Sequence, residues 1–248
     1  MRAAKIALRL RQMIGAHMIK ALIFIVALAV PTVVFAATPG GSDFSACTSA
    51  VDAKDPHQRI DLFTICLKRG GVGVGAASVI FANRGFTYES VGEVEKAFQD
   101  FNSAIQYESD WPYPYFGRAG VESGRGLCKE ALADIDKAMK MGPPQAPFLN
   151  RKAWILATCA DSAVRDGAKA IELARQALKI REDPAVRDTL AAAYAEAGQF
   201  VPAREEQAKA IEGLHELPDR VDAMQARLEL YNHGLAFHTV AAAPSAGR

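Results

Sequence analysis

One pattern of small and apolar residues recurs along this chain at a fixed distance. Ala97, Phe101 and Ala104 are matched 34 residues later by an alanine, an isoleucine and an alanine. Two later windows, which begin at Ala170 and Ala203, keep the same alanine spacing. Residues at these separations share one face of a helix. Each window therefore predicts a helix that packs closely against a neighbour through its small side chains.

A second helical stretch precedes each window and carries a small residue near its centre. These four residues are Gly85, Ala119, Ala153 and Ala191. A glycine such as Gly92 then marks the turn between the two helices. Prolines follow the windows at the points where a helix should stop, and they are Pro112, Pro143, Pro184 and Pro218.

The whole arrangement resembles the tetratricopeptide repeat (TPR), a helix-turn-helix unit of about 34 residues. The resemblance is strongest in NRGFTYESVGEVEKAF and LAAAYAEAGQFVPARE. The second repeat departs from it, with Glu122 where the family has tyrosine, and the third has a longer turn, TCADSAVRDG. The resemblance implies an all-α, right-handed α-solenoid of about four repeats, because one helix pair alone buries too little apolar surface to be stable.

The predicted organisation places about four repeats at residues 78–111, 112–145, 146–183 and 184–217, within a repeat region of 76–217. Residues 37–75 are predicted to form a helical cap or degenerate repeat, with GGVGVG at 70–75 as a flexible link. That glycine run is no phosphate loop, because no strand precedes it and no lysine follows it. We expect a closing helix at 218–238 and a disordered tail at 239–248.

The N-terminus has the order of a secretory signal: a basic stretch, an uncharged apolar run from Ala21 to Ala36, and small residues before a cleavage site. We expect cleavage before Ala37, which predicts a periplasmic or secreted protein. The alternative is a membrane anchor through an uncleaved N-terminal helix. Met1, Met13 and Met18 are all candidate starts.

Charge excludes one class of partner. The first 36 residues hold five basic residues and no acidic one, so the remainder carries more acidic than basic side chains. Nucleic-acid binding needs a basic surface, and we therefore expect no nucleic-acid partner.

The chain has four cysteines, all after the signal segment, which in an oxidising compartment favours disulfides. We expect Cys47–Cys66 between the two cap helices, and Cys128–Cys159 between adjacent repeats. Cys47 and Cys66 lie at roughly matching levels of an antiparallel helix pair, within reach of a bridge. Cys128 and Cys159 lie at helix ends on the same edge of adjacent repeats. The alternative is four reduced, buried cysteines that pack as small apolar residues.

No residue cluster indicates catalysis, a metal or a cofactor. The histidines are scattered, no GxSxG motif occurs, and no CxxC pair is present to hold zinc. Asp100, Asp134 and Asp136 fit the solvated face of second helices better than a catalytic pair. We therefore expect a protein that is not an enzyme and that has no cofactor.

The resemblance implies a concave groove lined by the first helix of each repeat. The groove candidates are Asn83, Phe86, Tyr113, Phe116, Asn150, Arg151 and Trp154. Further positions carried over in the same way include Glu89, Gly120 and Asp188. The lysine and asparagine with which some family members hold a peptide C-terminus are absent from the first repeat, where Ala82 and Phe86 stand. The alternative is that the groove aromatics are covered as ordinary core.

An aromatic floor with a few amides and one arginine predicts an extended or helical protein segment as partner. The leading hypothesis is therefore an exported TPR scaffold that binds a protein or peptide in its groove and contacts the membrane only through an uncleaved signal. A second hypothesis is a structural module of an envelope-associated complex that uses its outer edge or closing helix. The third is a hydrolase with an unrecognised site.

Overall fold

A computed structural model describes residues 45–214 and 218–240, and every regular element in these two ranges is a helix. The predicted signal segment, residues 215–217 and residues 241–248 lie outside the description. In chain order the helices are α1 (Ser45–Asp52), α2 (Pro56–Arg69), α3 (Val74–Ser90), α4 (Val94–Tyr107), α5 (Pro112–Gly124), α6 (Cys128–Lys140), α7 (Ala146–Thr158), α8 (Gly167–Ile180), α9 (Pro184–Glu196), α10 (Phe200–Glu212) and α11 (Pro218–Asn232). None of them is both long and apolar enough to cross a bilayer.

The helices form a solenoid of stacked antiparallel pairs. Four pairs, α3/α4, α5/α6, α7/α8 and α9/α10, make the repeats, α1/α2 caps one end, and α11 closes the other. The first helices α3, α5, α7 and α9 also contact one another in succession, so they share one side of the stack. The predicted four-repeat architecture is therefore confirmed.

Close approach within and between repeats depends on glycine and on one aromatic ring. Phe101 of α4 is fully buried, and its ring lies against the α-carbons of Gly85 in α3 and Gly117 in α5. A β-carbon on Gly85 would lie only 2.8 Å from Phe101 Cε1, and one on Gly117 would come closer still to the same ring. The small residues that recur in the sequence therefore make room for this packing.

Three of the four repeats share one turn, and a glycine makes it possible. Gly92, Gly126 and Gly198 have φ between 73 and 81°, a left-handed conformation that residues with a β-carbon rarely adopt. At the first of these turns the N–H of Glu93 donates to the carbonyl of Tyr88. The third repeat has no such glycine and uses the longer loop that its sequence predicted.

Three of the four prolines that follow the alanine windows begin the next helix as well as ending the last. Pro112, Pro184 and Pro218 are the first residues of α5, α9 and α11. Proline suits this position because the first N–H groups of a helix have no helical acceptor. Asp183, just before α9, also caps it by accepting a hydrogen bond from the N–H of Ala185.

The predicted boundaries need correction at both ends of the repeat region. The glycine link is shorter than predicted, because α3 begins at Val74. The closing helix ends at Asn232 rather than at 238, since Gly234 takes a φ of 67° and the N–H of Leu235 bonds back to Leu230. Residues 235–240 then run without helical structure. Thr239, expected in a disordered tail, makes two hydrogen bonds described below.

The expectation that Asp100 and Asp134 are solvated is wrong. Both side chains are buried, and each accepts two hydrogen bonds from an arginine of the first helix in its own repeat. These arginines, Arg84 and Arg118, lie 34 residues apart and also reach the preceding helix pair, where Arg118 donates to Asn102. The recurrence of arginine at this spacing was visible in the sequence and could have predicted the ion pairs.

One carboxyl group beside these ion pairs is left poorly compensated. Glu122 is 7% exposed, and its Oε2 has no hydrogen-bond partner in the described structure. The Nε of Arg118 lies 3.8 Å from Oε1 of Glu122, but its hydrogen bond goes to Asp134. Burial, together with the charges of Asp134 and Glu130, raises the pKa of Glu122 to about 7 from its usual value near 4.5.

We expect Glu122→Gln to stabilise the protein above pH 7. A carboxyl whose folded-state pKa is raised stabilises the fold while it is protonated, and that contribution is lost as pH rises from about 4.5 to about 7. The wild-type free energy of unfolding should therefore fall over this range by about 1–3 kcal/mol more than that of the variant. Urea unfolding at pH 5 and pH 8 measures both. An equal pH dependence in the two proteins would contradict the burial argument.

The cysteines lie in two bonded pairs, and the described chain has no free cysteine. Cys47 of α1 is bonded to Cys66 of α2, with their Cα atoms 5.2 Å apart. Cys128 opens α6 in the second repeat, Cys159 follows α7 in the third, and their Cα atoms are 6.2 Å apart. The first bridge joins the two helices of the cap, and the second joins the second repeat to the third.

We expect non-reducing peptide mapping of the purified protein to recover these two linked peptide pairs. The Cys47–Cys66 and Cys128–Cys159 bridges close loops of 19 and 31 residues. The chain-entropy model gives about 3 kcal/mol of stability for each loop. Reduction should therefore lower the urea midpoint substantially. Free thiols at all four positions, or a peptide that joins Cys66 to Cys128, would exclude the pairing.

Candidate functional site

The predicted groove residues all lie on first helices, which share one side of the stack. Asn83 and Phe86 belong to α3, Tyr113 and Phe116 to α5, and Asn150, Arg151 and Trp154 to α7. Asn83, Phe86 and Tyr113 are partly exposed, whereas Phe116, Asn150, Arg151 and Trp154 are each less than 9% exposed.

A continuous row of aromatic rings runs beneath this face. The Phe86 ring lies 4.8 Å from that of Phe101 and 6.3 Å from that of Phe116. Phe116 in turn lies 5.0 Å from Phe148, and Phe148 lies 5.7 Å from Tyr113. Tilted and edge-to-face rings at these distances stabilise a rigid floor. Phe86 and Tyr113 are the members of this row that remain partly accessible.

The sequence did not indicate Phe148 as part of this row. It lies near the start of the third repeat, two residues after Ala146, and sits on α7 outside the groove positions that the resemblance implied. Its burial explains why Phe116 is covered, because the two rings pack against each other across the boundary between repeats.

The second feature of this face is a buried arginine. Arg151 is 5% exposed, its guanidinium carbon lies 4.3 Å from the centre of the Phe116 ring, and its Nη1 has no hydrogen-bond partner among the described residues. Glu89 of α3 faces it across Gly120 of α5. Burial raises the pKa of Glu89 despite the opposing charge of Arg151. Burial also lowers the pKa of Arg151.

The last predicted aromatic, Trp154, is covered by the segment that follows α11. The Phe237 ring lies 6.0 Å from that of Trp154, and the guanidinium of Arg227 lies over both rings, at 5.5 and 5.6 Å. Phe237 is 6% exposed. For Trp154 the alternative of ordinary core packing therefore applies, with a covering segment that the sequence did not indicate.

Polar contacts hold this covering segment, residues 235–240, against the ends of first helices. The N–H of Thr239 donates to the carbonyl of Thr158 at 2.7 Å, and the Thr239 hydroxyl donates to the same oxygen at 3.0 Å. Thr158 ends α7, so its carbonyl has no donor within the helix. His238 Nε2 lies 2.6 Å from Glu196 at the end of α9, and Arg165 donates to the other oxygen of that carboxylate.

Asp188, another predicted groove position, is already used inside the fold. Its two carboxylate oxygens accept hydrogen bonds from Arg227 of α11 at 2.9 and 2.8 Å, and Gln207 of α10 also donates to it. Both members of the ion pair are buried. Asp188 therefore fixes the closing helix and is not free to bind a ligand.

The described residues contain no cluster of three or more potential metal ligands. His233 pairs with Glu229 on the exposed side of α11, and His238 belongs to the covering segment. The side chains on this face that remain partly exposed are Asn83, Phe86, Glu89 and Tyr113, whereas Arg151 is buried. Such a surface can bind a chain segment through apolar anchors and hydrogen bonds.

No family model matches the sequence, and the comparison with curated proteins gives no match either. The chain is similar in fold to a number of solved structures, among them the following two. TTC0263, a thermophilic TPR protein of Thermus thermophilus, matches 73% of this chain and 97% of its own, with 20% sequence identity and a TM-score of 0.57. A tetratricopeptide repeat protein of Parabacteroides merdae matches 76% of this chain and 77% of its own, with 14% identity and a TM-score of 0.53. The chain therefore has the tetratricopeptide-repeat fold.

Proposed function

We propose that this chain is an exported, non-catalytic scaffold whose concave face binds an extended segment of another protein. The observation that carries the proposal is that α7, α9 and α11 already hold a non-helical segment of the chain itself. That segment uses one aromatic anchor, Phe237, one main-chain hydrogen bond from Thr239, and one side-chain contact from His238. Anchors of this kind are general in the recognition of extended peptides.

The part of the face left for a partner is the half formed by α3, α5 and the start of α7. Asn83, Phe86 and Tyr113 are partly exposed there above the aromatic row. Rigid rings lose little conformational entropy on binding, so they suit apolar anchors of a partner. Carboxylate, guanidinium and amide groups nearby can satisfy the polar groups that such a partner buries.

The proposal is tested by capturing partners from an extract of the native host with three versions of the oxidised chain. The groove variant carries Asn83→Arg and Tyr113→Arg, which place two long cations on the accessible floor. The matched control carries Gln99→Arg and Gln176→Arg, on exposed positions of the second helices α4 and α8. Both variants add the same charge.

We expect a specific partner to be retained by the wild type and the control and lost from the groove variant. A partner that the groove variant keeps and the control loses would contradict groove binding and favour the structural hypothesis, in which the outer surface joins a larger complex. Equal retention by all three proteins would also contradict groove binding.

The exported location is tested at the N-terminus. Disulfides are typical of oxidising compartments, and the two cysteine pairs support export. We expect sequencing of the protein from its native host to begin near Ala37. Protein that retains the apolar run from Ala21 would instead favour the anchored form.

A further inference from the structure

The floor of the accessible groove contains a donor and an acceptor that do not satisfy each other. Arg151 is only 5% exposed, and its Nη1 lacks any hydrogen-bond partner among the described residues. A buried guanidinium nitrogen without a partner is costly, and such groups are rare in folded proteins. Glu89 opposes it on α3 and is partly exposed, and its charge acts on Arg151 without a hydrogen bond between them.

Gly120 leaves room for the Arg151 guanidinium to lie beside Glu89. An ideal β-carbon at Gly120 would clash with Arg151 Nη1, and would lie 2.8 Å from the Cζ of Arg151 and 3.2 Å from an oxygen of Glu89. Any other residue at this position would therefore displace the guanidinium. Three repeats contribute to one site, with α3 providing the acid, α5 the glycine and α7 the arginine. We call these three residues the Glu89–Arg151 site.

The charges of the site select the chemistry of its ligand. A carboxylate would pair with Arg151 but be repelled by Glu89, and an ammonium would pair with Glu89 but be repelled by Arg151. A neutral primary carboxamide accepts hydrogen bonds through its oxygen and donates two from the same tip. It can therefore satisfy both groups without adding an unpaired charge.

The depth of the site selects the source of that carboxamide. Arg151 is buried with its guanidinium stacked on Phe116, and the partly exposed Phe86 and Tyr113 belong to the same row of rings as Phe116. The main chain of a bound segment would rest on those rings, so a side chain must reach down to the guanidinium. Asparagine and glutamine are the side chains that end in a primary carboxamide.

We propose that the Glu89–Arg151 site binds the side-chain carboxamide of an asparagine or glutamine in an extended partner segment, as the specificity-determining contact of the groove. The proposal rests on the proposed function and adds the residue that the groove selects. The amide oxygen accepts from the Arg151 guanidinium, and the amide N–H donates to the Glu89 carboxylate. Flanking apolar residues of the segment contact Phe86 and Tyr113.

The test begins with a phage-displayed library of random linear decapeptides, selected on the full oxidised chain. We expect asparagine or glutamine to be enriched at one position next to a large apolar residue. A synthetic copy of a selected peptide is then compared with its carboxamide→Ala and Asn→Asp (or Gln→Glu) versions on the wild-type protein. Each change should weaken Kd by about 10-fold or more, because charge-assisted hydrogen bonds are lost or a like charge is introduced.

Protein variants assign the effect to the site. Arg151→Met and Glu89→Met should each weaken binding of the selected peptide. Each variant should then bind the selected peptide and its alanine version with the same Kd, as a double-mutant cycle requires. Arg175→Met on the second helix α8 is the matched control and should bind like the wild type. The peptide-side comparison uses only wild-type protein, so it stands even where a groove variant fails to fold.

Three outcomes would overturn the inference, and they separate it from the proposed function. Enrichment of aspartate or glutamate would show a carboxylate site at Arg151, and peptides with no preference at any polar position would show a purely apolar groove. Either result leaves peptide binding intact. Failure to select any peptide above the level of the bare support would contradict both the inference and the proposed function.

Discussion

Gly85→Leu is expected to lower the free energy of unfolding by more than about 2 kcal/mol, because overpacking a tight helix crossing displaces both helices. Even the first added carbon would lie 2.8 Å from the Phe101 ring, which is fully buried between α3 and α5. Phe101 cannot move aside freely, because the same ring also packs closely on Gly117. Urea unfolding, followed by circular dichroism, measures the effect.

The chain offers a matched control and a rescue for this prediction. Gly124 ends α5 with no atom within 4 Å of an added β-carbon, so Gly124→Ala should be neutral or stabilise by up to about 1 kcal/mol. Phe101→Leu should restore part of the stability that Gly85→Leu removes, because the smaller side chain vacates the space that the Phe101 ring occupies beside Gly85. An unchanged unfolding midpoint for Gly85→Leu would show that the assigned helix register is wrong.

The turn glycine Gly92 differs from Gly85 because its backbone conformation sets the cost of a side chain there. Its φ of 81° lies in the left-handed region, where a residue with a β-carbon costs about 1–2 kcal/mol. Gly92→Leu is therefore also destabilising, whereas Gly92→Asn should lose less because asparagine tolerates this conformation.

Arg227→Met is expected to cost about 3–5 kcal/mol, the loss typical when one member of a buried ion pair is removed. The substitution leaves the Asp188 carboxylate buried with Gln207 as its remaining donor. It also removes the guanidinium that lies over Trp154 and Phe237. Both the closing helix and the covering segment should therefore loosen, which tryptophan fluorescence in a urea titration reports when Trp111→Phe leaves Trp154 as the emitting residue.

A double-mutant cycle separates the lost ion pair from the stranded charge. Asp188→Asn combined with Arg227→Met should be more stable than Arg227→Met alone, because no unpaired carboxylate remains in the core. Lys169→Met, which removes an exposed ion pair with Glu172, is the control and should change stability little. A small loss for Arg227→Met would show that α11 is held mainly by its apolar contacts.

The repeats could be predicted because their signal is local and periodic. Gly85, Ala97 and Ala104 belong to helices that are neighbours in the chain, and the same spacing returns in each repeat. Close packing of two adjacent helices needs small residues at fixed positions. Small residues therefore recur at the same spacing in each repeat. The cysteine pairs could be placed for the same reason, since each lies in adjacent helices or repeats.

The groove was only partly predictable because its state depends on contacts between distant residues. Trp154 occupies a groove position by sequence, but Phe237 covers it. Asp188 was another groove position, and its partner Arg227 lies 39 residues away. No periodic pattern links such residues, because the closing segment occurs once and repeats nothing.

The sequence by itself determined the helical solenoid, the number of its repeats and the spacing of their small residues. Each of these follows from neighbouring helices that must bury apolar surface against one another. Only the tertiary structure decided which part of the concave face stays accessible, because the Thr239 amide meets the Thr158 carbonyl across 81 residues. It also decided that Glu89, Gly120 and Arg151 meet, since three repeats must stack before an acid, a glycine and a guanidinium form one site.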